Sequence, residues 1–329
     1  MTTLKIFSGS SNKNLYKKIC KTLNVPESLT HLDYFSNGET IPKINEIVRD
    51  QCIYIVQTGV TSDHTINDVI METYLLARTC KRSHAKDITL IMPCYPYARQ
   101  DKKDRSKGAI SAKDVADLFT SAYIDRIVCF DLHCEQIQGF FNIPIDNLRA
   151  EPLFINYFKE HYFTNENYKN KYVLVSPDFG ALKIGKRFSE KVDIPCLVMN
   201  KERDYEKKNE VDKITLIGNK KYLIDRTVII LDDMCDTFGT AQKACKSLIE
   251  FGAKDIIFVA THGILSGPAI ERINNTKELK LFLTTNSIDQ TENIKKCSKI
   301  VELDIGGIIS KVINCLQDNT SISDIFNMI

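Results

Sequence analysis

Short apolar, β-rich runs alternate with longer amphipathic stretches along the chain. The runs Leu4–Phe7, Cys52–Gln57, Ile88–Met92, Arg126–Phe130, Tyr172–Ser176, Cys196–Met199, Thr227–Leu231, Ile256–Ala260 and Lys280–Leu283 predict strands. Their continuous aliphatic character suits strands covered on both faces. Between them, Lys13–Leu23, Thr65–Cys80, Ser111–Ser121, Pro152–His161, Leu182–Val192, Gly239–Phe251 and Gly267–Ile273 carry apolar residues at helical spacing. Strand–helix alternation predicts an α/β fold with mostly parallel sheets flanked by helices. At 329 residues, two domains are expected, residues 1–150 and 151–329, divided near Leu148–Pro152. About the last 15 residues are free to return to the first domain. Lys201–Asp212 breaks the pattern: it is charged and nearly devoid of aliphatics, and it reads as an exposed mobile loop.

The most informative stretch is Thr227-Val-Ile-Ile-Leu-Asp-Asp-Met-Cys-Asp-Thr-Phe-Gly-Thr240. A β-branched run ends in three carboxylates and a hydroxyl-rich turn, and a helical pattern follows. A strand–loop–helix unit of this kind puts Asp232 and Asp233 at the strand's C-terminal edge. It also aims amides near Thr237, Gly239 and Thr240 from a helix N-terminus, where phosphate binds well. Asp and Thr are ordinary helix caps, but three acids and two threonines exceed what capping needs. Carboxylates beside a phosphate cradle suit a polyhydroxylated, phosphorylated ligand: the acids can accept hydroxyl protons or hold Mg²⁺.

Composition narrows the setting. The net charge of +2 implies no nucleic-acid or membrane partner through bulk electrostatics. None of the eleven cysteines forms a CxxC pair or a zinc-type spacing, so a reducing, cytoplasmic setting is expected. No apolar stretch approaches the ~20 residues of a membrane helix.

Four further segments carry chemistry. Tyr97-Ala-Arg-Gln-Asp-Lys-Lys-Asp-Arg105 follows a strand, and Arg99 and Arg105 there can grip polyphosphate oxygens. Asp131 and His133, just past another strand, are two residues apart and suit a metal or phosphate role. Asp178 stands at a third strand end. Lys201 and Arg203 sit at the mouth of the charged loop, where a lid could deliver them to a polyphosphate. Gly180-Ala-Leu-Lys-Ile-Gly-Lys-Arg187 nearly matches a P-loop, but Arg187 replaces the Mg²⁺-binding hydroxyl, and a plain amphipathic helix is expected.

The segments Tyr97-Ala-Arg-Gln-Asp, Asp131-Leu-His-x-x-Gln-Ile-Gln-Gly-Phe-Phe, Val175-Ser-Pro-Asp, Asn200-Lys-Glu-Arg, Asp232-Asp-Met-x-Asp-Thr-x-Gly-Thr and Ser266-Gly-Pro-Ala occur in order. Together they resemble the class I ribose-phosphate pyrophosphokinases over essentially the whole chain. Phosphoribosyltransferases share only the loop around Asp232–Thr240. The resemblance implies two tandem phosphoribosyltransferase-like α/β domains, the N-terminal one on the ATP side and the C-terminal one binding ribose 5-phosphate. It implies transfer of pyrophosphate from ATP to the C1 hydroxyl of ribose 5-phosphate, with Mg²⁺. It implies ATP contacts from Arg99, Gln100, Asp104 and His133. Phe35, Asn37 and Glu39 would be lent by a neighbouring subunit in a homo-oligomer, typically a hexamer built from dimers. Asp131, His133 and Asp178 would serve Mg²⁺–ATP. Asp232 and Asp233 would meet the ribose hydroxyls, and Asp236, Thr237, Gly239 and Thr240 the 5-phosphate. Lys201 and Arg203, with His133, would be the catalytic group. Arg49, Gln138, Asn147, Ser321 and Ser323 match a regulatory phosphate site.

The chain departs from the family pattern in places. Phe238 replaces a small residue in the phosphate loop, which is unfavourable if its φ is positive. Asn142 stands where many relatives carry Asp, which weakens a further metal role near Asp146. Ile47 and Glu135 stand where many relatives carry Ser; a carboxylate beside an anion site predicts weakened phosphate activation or ADP inhibition. The alternative within the family is a non-catalytic regulatory subunit.

Overall fold

The computed structural model describes residues 4–60, 64–103, 106–203, 211–323 and 325, without the side chains of 201–203 and 211–214. The chain divides into two compact units. Unit 1 comprises residues 1–149, 286–289 and 304–329, and unit 2 comprises 150–285 and 290–303.

Unit 1 begins β1 (Leu4–Ser8), α1 (Lys13–Leu23), β2 (Thr30–Tyr34), β3 (Thr40–Ile44), β4 (Cys52–Val56), α2 (Ile66–Arg82) and β5 (Asp87–Ile91). It continues through α3 (Ser111–Ser121), β6 (Arg126–Phe130), a 3₁₀ segment at Glu135–Phe140 and β7 (Ile145–Leu148). The main sheet is parallel throughout, in the order β1-β4-β5-β6-β7. Its strands are apolar on both faces because helices can cover both. Local signals set the helix ends. Asn12 accepts the Leu15 amide to start α1, and Asn24, in the left-handed region at φ 53°, stops it. Thr65 and Asp68 close a reciprocal capping box at the start of α2. β2 and β3 form a separate antiparallel ribbon.

Unit 2 runs α4 (Glu151–His161), β8 (Tyr172–Ser176), α5 (Leu182–Val192), β9 (Cys196–Arg203), β10 (Val211–Ile217), β11 (Thr227–Cys235) and α6 (Gly239–Glu250). β12 (Asp255–Gly263), α7 (Ala269–Asn275), β13 (Leu279–Thr285), α8 (Thr291–Lys296) and β14 (Ile300–Leu303) follow. Its sheet has the order β10-β9-β8-β11-β12-β13-β14, parallel except for β10. From β8 the chain steps outward to β9 and then returns to β11 on the other side. The boundary between β8 and β11 is therefore a topological switch point, where open α/β sheets leave a crevice beyond the strand ends. Phe258 and Phe282 stack at 5.5 Å in the core beneath this region. Finally α9 (Gly306–Gln317) rejoins unit 1 and packs on α1.

One expectation needs correcting. Lys201–Asp212 is not loop throughout. Lys201 pairs with Ile214 and Arg203 with Val211 in the antiparallel β9–β10 ladder, so both ends of the segment are strand. Main-chain pairing needs no apolar side chains, which is why the charged composition concealed it. Residues 204–210 lie outside the described residues. The near-P-loop at Gly180–Arg187 leads into α5, and Arg187 is engaged in an ion pair with the buried Glu151.

Candidate active site

The loop from β11 to α6 sits at the switch point of unit 2. The ladder to β12 continues past the apolar run through Cys235↔Gly263, so Asp232 and Asp233 are held by strand geometry at its C-terminal end. The Asp233 amide donates to Asp232 Oδ1 at 3.0 Å. Asp233 is buried and Asp232 is partly covered. Across the switch point, Asp178 follows β8, and its Oδ1 accepts the Ala181 amide at 3.1 Å, tying it to the start of α5. Loss of water raises the Asp232 pKa well above the usual aspartate value, and the charges of Asp233 and then Asp178 add to it. Three carboxylates influence one another here, an arrangement that a cation or a set of hydroxyl donors relieves.

Phe238 occupies the N-cap position of α6 at φ 57°, and no side chain caps this helix. The first amides of an α-helix have no partner within it, so those following Phe238 are suited to an anion. Thr237 and Thr240 are exposed beside them, and Gly239 and Asp236 are partly covered. The ring of Phe238 leaves this surface and is only 2% exposed. It meets Phe258 edge-on at 5.7 Å and Phe282 at 6.1 Å. The φ is thus the unfavourable one, and burial of the ring accounts for its retention. Asp236 accepts a hydrogen bond from Ser266 Oγ, and Arg272 Nη1 donates to the Thr237 carbonyl at 2.8 Å. Sequence reasoning placed Ser266 in a motif without a role and missed Arg272, which stands on a short helix with no pattern to single it out.

In unit 1, the segment after β5 brings Arg99 and Gln100 to the surface. Tyr97 turns the chain at φ 58°, and the Gln100 amide returns to the Tyr97 carbonyl at 2.9 Å. Gln100 Oε1 accepts Ser111 Oγ–H at 2.6 Å at the start of α3. Asp104 and Arg105 lie outside the described residues. Past β6, Asp131 is buried with φ 34°, whereas His133 is exposed. Asn147 Oδ1 accepts the Leu132 amide at 3.1 Å and so holds the turn between them. Phe35, Asn37 and Glu39 form the tip of the β2–β3 ribbon. The Phe35 amide donates to the Glu39 carbonyl at 2.8 Å, the Glu39 amide to Asn37 Oδ1 at 3.2 Å, and the Phe35 side chain is 57% exposed.

Arg49, Gln138, Ser321 and Ser323 are exposed in unit 1. Gln138 donates to the Glu135 carbonyl at 3.0 Å, and the Glu135 carboxylate lies 3.7 Å from Arg149. The Ser323 amide donates to Ser321 Oγ at 3.0 Å. Lys201 and Arg203 lie at the end of β9, which runs between β8 and the edge strand β10. Among the described residues, no group of three or more His, Cys, Asp or Glu side chains is gathered closely enough to hold a metal by itself. Mg²⁺ commonly takes only one or two carboxylates, its other ligands being water and substrate phosphates, so the separate acids fit it.

Residues 4–122 match the family described as the N-terminal domain of ribose phosphate pyrophosphokinase, and residues 205–327 match the phosphoribosyl synthetase-associated domain. The chain is 41% identical to ribose-phosphate pyrophosphokinase A of Dictyostelium discoideum, over 98% of each chain. The chain belongs to the ribose-phosphate pyrophosphokinase family. It is accordingly an enzyme. A second pyrophosphokinase relative, ribose-phosphate pyrophosphokinase 2 of Schizosaccharomyces pombe, is 39% identical, with 99% of this chain and 98% of that one covered. The crystal structure of phosphoribosylpyrophosphate synthetase from Mycobacterium smegmatis superposes with a TM-score of 0.87 at 35% identity, covering 97% of this chain and 100% of that one. Two α/β units with mostly parallel sheets are therefore the family's architecture as well as this chain's. Among the described residues no helix is long and apolar enough to cross a membrane.

Proposed function

We propose that this pyrophosphokinase transfers the β,γ-pyrophosphoryl group of ATP to the C1 hydroxyl of ribose 5-phosphate, giving 5-phosphoribosyl 1-pyrophosphate and AMP for nucleotide biosynthesis. The observation that carries the reading is the β11–α6 loop. Two acids at a switch point adjoin a helix N-terminus that has no side-chain cap, in a chain related to pyrophosphokinases along its whole length. Asp232 and Asp233 take the ribose hydroxyls, and the amides and hydroxyls of Asp236, Thr237, Gly239 and Thr240 take the 5-phosphate. Arg99, Gln100, Asp104 and His133 bind ATP, and Phe35, Asn37 and Glu39 complete the site of a neighbouring subunit in a homo-oligomer, a hexamer built from dimers. Unit 1 is then the ATP side and unit 2 the sugar-phosphate side, and the enzyme works in the cytoplasm.

Asp131 and His133 in unit 1 and Asp178 in unit 2 are the side chains suited to Mg²⁺–ATP. The ion, when bound, neutralises phosphate charge. Phosphoryl transfer asks the protein mainly for position and charge stabilisation. The bound pentose presents its anomeric oxygen in line with the β-phosphorus. Lys201 and Arg203 stabilise the negative charge that develops, and closure around them keeps water from competing with the sugar.

The deciding experiment is AMP release by the purified chain with ATP and Mg²⁺, with and without ribose 5-phosphate. Release that depends on the sugar phosphate is expected. If neither substrate is consumed, the reading is wrong and the non-catalytic regulatory subunit takes its place. The same assay tests Arg49, Gln138, Asn147, Ser321 and Ser323 as a regulatory phosphate site.

A further inference from the structure

We infer that Arg272 is a positioning residue for the sugar-phosphate loop. The inference rests on the assignment of Asp236–Thr240 to the 5-phosphate.

The β11–α6 loop is held from outside itself at several points, all within unit 2. Its entrance is fixed by the Cys235 carbonyl, which accepts the Ile264 amide at 2.9 Å and the Leu265 amide at 3.2 Å. Asp236 is held by Ser266 Oγ. Phe238 is rooted in the core. Between these anchors lies Thr237, whose carbonyl is held by the guanidinium of Arg272 at 2.8 Å. A charged donor on a carbonyl is among the stronger hydrogen bonds a loop can receive.

The same guanidinium explains a glycine. A methyl group built on Gly239 would lie 3.0 Å from Arg272 Nη1, closer than carbon and nitrogen pack comfortably. Gly239 is not in the left-handed region, so its backbone alone does not demand glycine. The close passage of Arg272 favours it, because a methyl group there would push the guanidinium aside by a few tenths of an ångström. Arg272 is partly covered and reaches the loop from α7, next to the motif Ser266-Gly-Pro-Ala. The segment after β12 therefore clasps the sugar-phosphate loop twice, through Ser266 in the connection and through Arg272 on α7. The clasp orders the loop before the ligand arrives, so that binding does not have to supply the ordering. Its effect should fall on ribose 5-phosphate and spare ATP.

The test compares Arg272→Met, which keeps the aliphatic stem, with Arg272→Lys, which keeps a donor and a charge. Steady-state kinetics are read for both substrates, and the thermal midpoint is read alongside. In Arg272→Met, KM for ribose 5-phosphate should rise about tenfold, the equivalent of one lost charge-assisted hydrogen bond. KM for ATP should stay within about twofold, and Arg272→Lys should recover part of the loss. Added guanidinium ion at millimolar concentration should lower the raised KM of Arg272→Ala. An unchanged ribose 5-phosphate KM in Arg272→Met overturns the inference, as do equal losses for both substrates accompanied by a lowered midpoint. If Arg272→Met is insoluble, Arg272→Gln takes its place: a selective rise in KM for ribose 5-phosphate supports the inference, and no rise overturns it. Wild-type protein without sugar-dependent AMP release would sink the assignment of the loop itself, a separate outcome.

Discussion

Removing the ring of Phe238 separates two opposing contributions at one residue. The side chain is 2% exposed and meets two other phenylalanines edge-on. A buried phenylalanine cut to alanine destabilises by about 3–5 kcal/mol. The backbone works the other way: at φ 57° a residue with a Cβ is strained by about 1–2 kcal/mol, and glycine is not. Phe238→Ala should therefore lose about 4 kcal/mol while keeping the strain. Phe238→Gly loses the same ring but sheds the strain, and should be more stable than Phe238→Ala by about 1 kcal/mol. Urea unfolding followed by far-UV circular dichroism gives the order. Phe should be most stable, then Gly, then Ala. An alanine variant within about 1 kcal/mol of wild type would show that the ring anchors nothing. An alanine variant more stable than the glycine variant would show that the left-handed backbone is not strained here.

Lys201→Ala should collapse kcat while ATP binding stays near normal, because the contact proposed for Lys201 belongs to the transition state and not to the ground state; full turnover in single-turnover assays would remove Lys201 from the chemistry. Asp232→Asn should raise the thermal midpoint of the ligand-free, Mg²⁺-free protein at neutral pH. An acid whose pKa is raised by folding favours the fold below the ordinary aspartate range and loses that contribution as pH rises through the raised value, so the gain should shrink toward pH 4 and a pH-independent gain would refute the cause given. Glu151→Ala should cost about 3 kcal/mol in urea unfolding, because Glu151 is buried and serves both Arg187 and Lys191, which keep partial access to water; no loss would mean the ion pairs are idle. Initial rates should show weak phosphate activation because of Ile47 and Glu135, although the Glu135–Arg149 pair tempers the repulsion, and strong activation would refute this.

The sequence was most legible where periodicity and end signals agreed. Lys13–Leu23, Ser111–Ser121 and Leu182–Val192 are helices over the spans expected of them, and Arg126–Phe130 and Tyr172–Ser176 are strands likewise. The boundary of β11 was set too early, at Leu231, because hydrophobicity stops there while the hydrogen-bond ladder to β12 does not. β2 and β3 are half-solvated and polar, and β10 is charged at its start, so none shows the apolar run of a buried strand. α9 opens with Gly306 and Gly307, which mask an otherwise apolar helix. The acids and the strand–loop–helix turn after them were legible because a strand end followed by a helix start is a local pattern. The clasp by Arg272 was not, since it joins Thr237 to a residue 35 positions later through a main-chain carbonyl that every residue possesses. The backbone sign at Phe238 was equally hidden, because it follows from where the ring is buried.

The docking of α9 on α1 has a consequence for biosynthesis. Leu15, Ile19, Ile309, Val312 and Ile313 are all fully buried, so the first helix of unit 1 shares its cover with the last. A chain emerging from the ribosome delivers α1 early and must synthesise all of unit 2 before α9 exists. Unit 2, by contrast, is nearly continuous in sequence. The order of translation thus favours maturation from the middle outward, with α1 waiting, part of its apolar surface open to chaperones, for the helix that covers it.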